Sequence, residues 1–167
     1  MCIRDRHWVD GAAWAGTSER TGDVFNPATG TVTGTVALAS AADVGVAVAA
    51  AEAAWPAWRD ASLATRLKVM FAFRELLNAR KQELAEILTA EHGKVLADAL
   101  GEIARGLEVV EFACGAGHLL KGEYSESVST NVDVYTVRQP VGIVGVISPF
   151  NFPAMVCLLY TSPSPRD

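Results

Sequence analysis

The run Gly142-Ile143-Val144-Gly145-Val146-Ile147-Ser148 constrains the fold of this chain more than any other stretch. It is apolar at odd and even positions alike, so it has no face for water. Such a run is expected of a parallel strand covered by helices on both sides, which makes the chain α/β. It stops at Pro149-Phe150-Asn151-Phe152-Pro153. Ligands of open α/β sheets meet the carboxyl ends of strands, so this pentapeptide stands where a cofactor could be bound.

Upstream, the signals change twice. Residues 7–39 carry strand and turn signals: Trp8-Val9 runs into Asp10-Gly11, and Val24-Phe25 runs into Asn26-Pro27-Ala28-Thr29-Gly30, both favoured turn sequences. Short antiparallel strands are expected there. Ser40-Ala41-Ala42-Asp43 has the form of a capping box and opens an Ala/Val-rich helix to about Trp58, with Pro56 in its last turn or at a kink. Ser62 is the next N-cap, followed by an apolar stripe at Leu63, Leu67, Met70, Phe73, Leu76 and Leu77. The pattern continues through Leu84, Ile87 and Leu88 until Gly93 supplies a stop, with His92 read as a capping residue beside it. Residues 95–120 read as one further long helix, in which Gly101, Gly106 and Gly115 point to close packing. Beyond Gly122 the period becomes two, and residues 123–138 read as a hairpin turning at Ser129-Thr130-Asn131, with two partly apolar faces. A lone hairpin of this kind is marginal in water and is expected to project from the body.

Composition removes several function classes. With 50% hydrophobic and 20% charged residues among 167, the chain is too apolar to be a disordered tail and is one domain or a piece of a larger protein. Lys and Arg number 14 against 19 Asp and Glu, so the net charge of −5 argues against a nucleic-acid partner. Cys2, Cys114 and Cys157 are far apart, without a C-x-x-C pair or a histidine at ligand spacing, so neither a disulfide framework nor a metal site is expected. No apolar stretch approaches the roughly 18 residues that span a bilayer, so no membrane association is expected and the cytoplasm is the default. Glu83, Glu86, Glu102, Glu108 and Glu111 read as solvated helix faces or ion pairs, and Cys114 as a buried, inert thiol. Residues 1–6 (MCIRDR) and 157–167 (CLLYTSPSPRD) do not continue the adjoining patterns and read as foreign, like translated sequencing adapter; plain disordered tails are the alternative.

Asn26-Pro27-Ala28-Thr29-Gly30, Glu91-His92-Gly93-Lys94 and Ser148-Pro149-Phe150-Asn151-Phe152-Pro153 together resemble the aldehyde dehydrogenase superfamily in order and spacing. Within it, residues 101–106 (GEIARG), 110–115 (VEFACG) and 118–125 (HLLKGEYS) are similar to the CoA-acylating methylmalonate-semialdehyde dehydrogenases. The resemblance covers about residues 7–156 and corresponds to roughly the first third of such an enzyme. It implies the N-terminal part of a Rossmann-like NAD-binding domain in residues 7–122 and 139–156, and an oligomerisation hairpin in 123–138 that would join subunits into a homotetramer. The nucleophilic cysteine and the catalytic base would lie outside this chain, leaving it inactive alone.

The resemblance also assigns roles. Asn151 would donate its side-chain amide to the oxyanion formed when a thiolate attacks the aldehyde, Ser148 and Phe150 would contact NAD, and Arg105 would recognise the substrate carboxylate. Taken by themselves, Asn151 is a turn residue, Ser148 and Phe150 are strand-end packing, and Arg105 is a helix-surface cation. Arg105 has one further argument: Ile103, Leu107, Val110 and Phe112 crowd its stretch, and Gly101 and Gly106 leave room for a close approach. The reaction implied is semialdehyde, CoA and NAD to acyl-CoA, CO2 and NADH. The alternatives are a non-acylating aldehyde or succinate-semialdehyde dehydrogenase and, from a different class, a non-enzymatic helical interaction module in which the Asn151 segment is only a turn. The choice of NAD over NADP does not follow from these residues.

Overall fold

A computed structural model of the protein describes residues 6–158. Three two-stranded antiparallel sheets and a helical body follow one another along the chain. Strands β1 (His7–Val9) and β2 (Ala12–Trp14) join through Asp10 and Gly11, whose φ values of 51° and 71° give the turn that matches strand twist. β3 (Thr21–Phe25) and β4 (Val32–Ala37) flank the Asn26 to Gly30 turn, where the Asn26 side chain accepts from the Ala28 amide at 2.9 Å. The expected strands of this region are all present.

Helix α1 (Ala41–Asp60) begins as its capping box demands: the Asp43 amide donates to the Ser40 hydroxyl at 3.1 Å, and the Ser40 amide donates to the Asp43 carboxylate at 2.8 Å. It runs through Pro56 and two residues beyond the expected end. Helices α2 (Leu63–Ala79) and α3 (Lys81–His92) follow, the first capped by the Ser62 hydroxyl and the second stopped at Gly93, whose φ of 86° is the left-handed conformation of a C-terminal glycine. Helix α4 (Leu96–Cys114) carries the stripe Ala99, Glu102, Ile103, Gly106, Val110 and Cys114, all buried, and packs on both α2 and α3. Leu77, Ala85, Leu88, Ala99, Ile103 and Val110 form the core. Burying side chains of this size contributes about 1.5–3 kcal/mol each for the larger ones.

Two expectations need correction. The single long helix over residues 95–120 is broken at Gly115 into α4 and the short α5 (Ala116–Leu119), because the Gly115 amide turns back to the Phe112 carbonyl at 2.9 Å. A Cβ at position 115 would stand 3.2 Å from that same oxygen. The expected strand at residues 142–148 is not formed among the described residues: a strand is completed only by a neighbour, and every described strand is already paired within its own hairpin. Val141 and Ile147 are 93% and 98% exposed.

The hairpin of β5 (Tyr124–Ser129) and β6 (Val132–Tyr135) is present, exposed along both strands, with a register shift between Ser125 and Ser129. Helix α6 (Pro153–Cys157) closes the described chain, and Leu158 just beyond it packs on the core. Of the two segments expected to be foreign, residues 1–5 and 159–167 lie outside the described residues, while Cys157 and Leu158 belong to the α6 end. No helix among the described residues is long and apolar enough to cross a membrane, and no group of three or more potential metal ligands occurs among them.

Candidate active site

The site is built where α3 stops and α4 starts. Gly93 turns the chain out of α3, and Lys94 on the far side of that turn points inward, its side chain 10% exposed. Its ammonium lies 2.5 Å from Glu102 Oε2, donates to the Asn151 carbonyl oxygen at 3.0 Å and stands 4.8 Å from the centre of the Phe152 ring. Glu102 comes from two turns into α4, and its side chain is fully buried. Its other oxygen accepts from the Ala154 and Met155 amides at 2.8 and 3.0 Å, the first-turn donors that α6 leaves unpaired behind Pro153.

Burial pushes the Glu102 carboxyl up, but the hydrogen bonds from Lys94, Met155 and Ala154 outweigh it and hold the group ionised below its ordinary range. Of the two expectations for Glu102, a solvated face or an ion pair, the ion pair is the one formed, and it is buried. A signal for it existed: Glu102 interrupts the apolar positions 99, 103, 106 and 110, where a charge is tolerated only with a partner. Lys94 was visible in the sequence only as the last residue of the Glu91-His92-Gly93-Lys94 motif, with no partner indicated.

Asn151 is exposed, held through its backbone carbonyl by Lys94. Phe150, 79% exposed, stacks on His92 at 4.7 Å between ring centres, so His92 supports the pentapeptide and leaves capping to Gly93. Ser148 is half-buried. Arg105, one turn after Glu102 on α4, is exposed and lines a cleft of about 440 Å³ with His92, Lys94, Ala97, Asp98, Gly101 and Phe152. Arg105 thus lines the cleft and Asn151 is tethered to Lys94 beside it, Phe150 reaches it only through His92, and Ser148 is not among the lining residues. Cys114 is buried at the end of α4 and Cys157 is exposed.

A cleft lined by a guanidinium, with an asparagine fixed through its backbone beside it, can receive a small oxygenated anion. The comparison with known proteins identifies the setting: the aldehyde dehydrogenase family model matches residues 14–164. The chain belongs to the aldehyde dehydrogenase family. Among the relatives of this aldehyde dehydrogenase chain, the malonate-semialdehyde dehydrogenase of Pseudomonas aeruginosa is 45% identical over 152 residues, 91% of this chain and 30% of that protein. The human mitochondrial acylating methylmalonate-semialdehyde/malonate-semialdehyde dehydrogenase is 43% identical over 81% of this chain and 25% of its own. The methylmalonate-semialdehyde dehydrogenase structure from Oceanimonas doudoroffii superposes with a TM-score of 0.86 at 44% identity, covering 90% of this chain and 31% of that one. A Sinorhizobium meliloti protein assigned to the same enzyme class and solved with NAD gives 0.86 at 51% identity, covering 90% and 31%. The chain thus has the aldehyde dehydrogenase fold and spans about 30% of the length of these relatives.

Proposed function

We propose that this chain forms part of an NAD-dependent, CoA-acylating methylmalonate- or malonate-semialdehyde dehydrogenase. The observation that carries the reading is the shared neighbourhood of Arg105 and Asn151, joined through Lys94 and Glu102. Arg105 suits a substrate carboxylate because its planar fork gives two charge-assisted hydrogen bonds, and it has no ion pair among the described residues. The Asn151 amide donates hydrogen bonds without ionising, which is what a developing oxyanion needs at any working pH.

The reaction is covalent catalysis. A cysteine thiolate, supplied by a part of the enzyme outside this chain, adds to the aldehyde carbon, and Asn151 stabilises the oxyanion of the hemithioacetal. Ser148 and Phe150 would hold NAD, which would supply the hydride acceptor that lets the hemithioacetal carbon be oxidised to a thioester. The carboxylate gripped by Arg105 would leave as CO2, its bonding pair passing into the thioester enolate and then to a proton at the α-carbon, and the CoA thiol would displace the enzyme thiolate to give acyl-CoA.

The residues here fit NAD as one edge of its site: residues 140–148 join no described strand, and Phe150 offers an exposed ring beside half-buried Ser148. Ser148 and Phe150 would hold it. Residues 7–122 and 139–156 then contribute to the NAD-binding domain, and residues 123–138 to contacts between subunits of a homotetramer. Residues 1–6 and 157–167 stand apart from that division as foreign sequence. The free thiol of Cys114 is compatible with a reducing compartment such as the cytosol.

The test is the complete enzyme with methylmalonate semialdehyde and NAD, with and without CoA. Acyl-CoA and NADH in equal amounts, with turnover lost without CoA, is the expected result. Full turnover to a free acid without CoA would favour the non-acylating reading, which the 35% identity to a succinate-semialdehyde dehydrogenase structure from Burkholderia pseudomallei keeps in view.

A further inference from the structure

We infer that Lys94 and Glu102 form a positioning pair that sets the placement of Asn151, an inference that rests on the reading of Asn151 as the oxyanion donor. A buried ion pair is poor evidence of stabilisation, since apolar residues of the same volume often do as well. What distinguishes this pair is where its remaining bonds go. The ammonium reaches the Asn151 carbonyl at 3.0 Å and the face of Phe152 at 4.8 Å. The carboxylate reaches the Ala154 and Met155 amides at 2.8 and 3.0 Å. All of these contacts fall on residues 151–155, so the backbone is held at the start of the segment and again three and four residues later.

On the preceding side the described contact is the stack of Phe150 on His92, and residues 140–148 belong to no described strand. The backbone of Asn151 is therefore held by Lys94 of the α3–α4 turn, which is itself fixed by Glu102 of α4, a 19-residue helix packed into the core. Arg105 lies three residues after Glu102 on the same helix. Helix α4 thus carries both the group that would grip the carboxylate and the carboxylate that anchors the Lys94 tether to the Asn151 backbone. Sites held by packed elements keep the sub-ångström placement that donors to a transition state require, whereas a shift of about 1 Å can cost about a hundredfold in rate.

The experiment is a double-mutant cycle in the complete enzyme, with Glu102→Gln and Lys94→Met each made alone and with Asn151→Ala, kcat measured at saturating substrate and NAD affinity by fluorescence titration. Each single substitution is expected to lower kcat by at least about tenfold while NAD affinity changes less than about twofold. In the Asn151→Ala background each should cost less than about twofold, because the group it positions is gone. A fold-loss that is the same in both backgrounds, or single variants with unchanged kcat, would overturn the positioning role while leaving Asn151 in place. An unchanged kcat in Asn151→Ala alone would instead remove the reading on which the pair rests. If either substitution prevents folding, Lys94→Arg keeps the charge but moves the donor. Its loss must likewise disappear in the Asn151→Ala background, and persistence of the loss there overturns the inference.

Discussion

One oxygen of the Asp43 carboxylate accepts both the backbone amide and the hydroxyl of Thr17, each at 2.7 Å, across 26 positions of sequence. The other oxygen accepts the amide and hydroxyl of Ser40. Asp43 thereby ties the loop after the first hairpin to the start of α1, and it is 2% exposed. The Ser40 amide first, then the Thr17 and Ser40 hydroxyls and the Thr17 amide, hold its carboxyl far below the ordinary value of 3.8. A carboxyl lowered on folding contributes stability that is complete above the unfolded value and lost as the pH falls towards the folded one. Asp43→Asn should therefore lower the urea midpoint at pH 7 and flatten its decline below about pH 4. Parallel acid slopes in the two proteins would show that the Asp43 charge is not involved.

Gly93 and Pro27 meet where two of the motif segments touch. A Cβ on Gly93 would stand 2.9 Å from Pro27 Cγ, and the backbone there has φ of 86°. Gly93→Ala should cost roughly 1–2 kcal/mol from the left-handed conformation alone, and more from the collision. Thermal unfolding should place Gly93→Ala well below the parent protein, with part of the loss recovered by Pro27→Ala. No recovery would leave the conformational cost as the whole effect.

Gly122 allows the hairpin to close. A Cβ there would lie inside the Thr136 carbonyl oxygen, whose residue also pairs with Glu123 through the Thr136 amide at 2.9 Å and the Thr136 hydroxyl at 2.8 Å. Gly122→Val should open the base of the hairpin and, in the complete enzyme, shift the sedimentation profile from tetramer to smaller species. A variant that sediments like the parent enzyme would detach the hairpin from assembly.

Arg105→Leu in the complete enzyme should reduce kcat/KM for methylmalonate semialdehyde by at least about tenfold, roughly 1.4 kcal/mol. Turnover of propanal, which has no carboxylate to grip, should change much less. Equal losses on the two substrates would make Arg105 a structural residue.

The 167-residue chain by itself should form no NADH from methylmalonate semialdehyde, NAD and CoA, since the reading places the nucleophile outside it. NADH formation by this chain alone would refute that division of the enzyme.

What the sequence made legible was local. The Ser40 capping box, the Asp10-Gly11 turn and the Gly93 stop each depend on residues within about one helical turn, so their physics is complete in a short window, whereas the expected α2 stripe is only partly buried, with Phe73 and Leu76 exposed. The misread residues depend on distant partners. Glu102 caps a helix 52 and 53 positions away, and nothing near it in sequence says so. The run at 142–148 has the composition of a covered strand, but pairing is a property of the neighbour. The motifs pointed to Asn151 and Arg105, while the backbone tether between Lys94 and Asn151 emerged only from the geometry.

The uncharged run of residues 142–147 also bears on how this chain behaves in concentrated solution. Its β-branched residues have high strand propensity, no charge or proline interrupts them, and Ile147 is almost wholly open to water. A segment of that kind is a template onto which the same segment of another copy can add, backbone to backbone, without any error in folding. Handled alone, the chain would thus be prone to concentration-driven fibril growth, and a single lysine at position 147 would act as a gatekeeper against it.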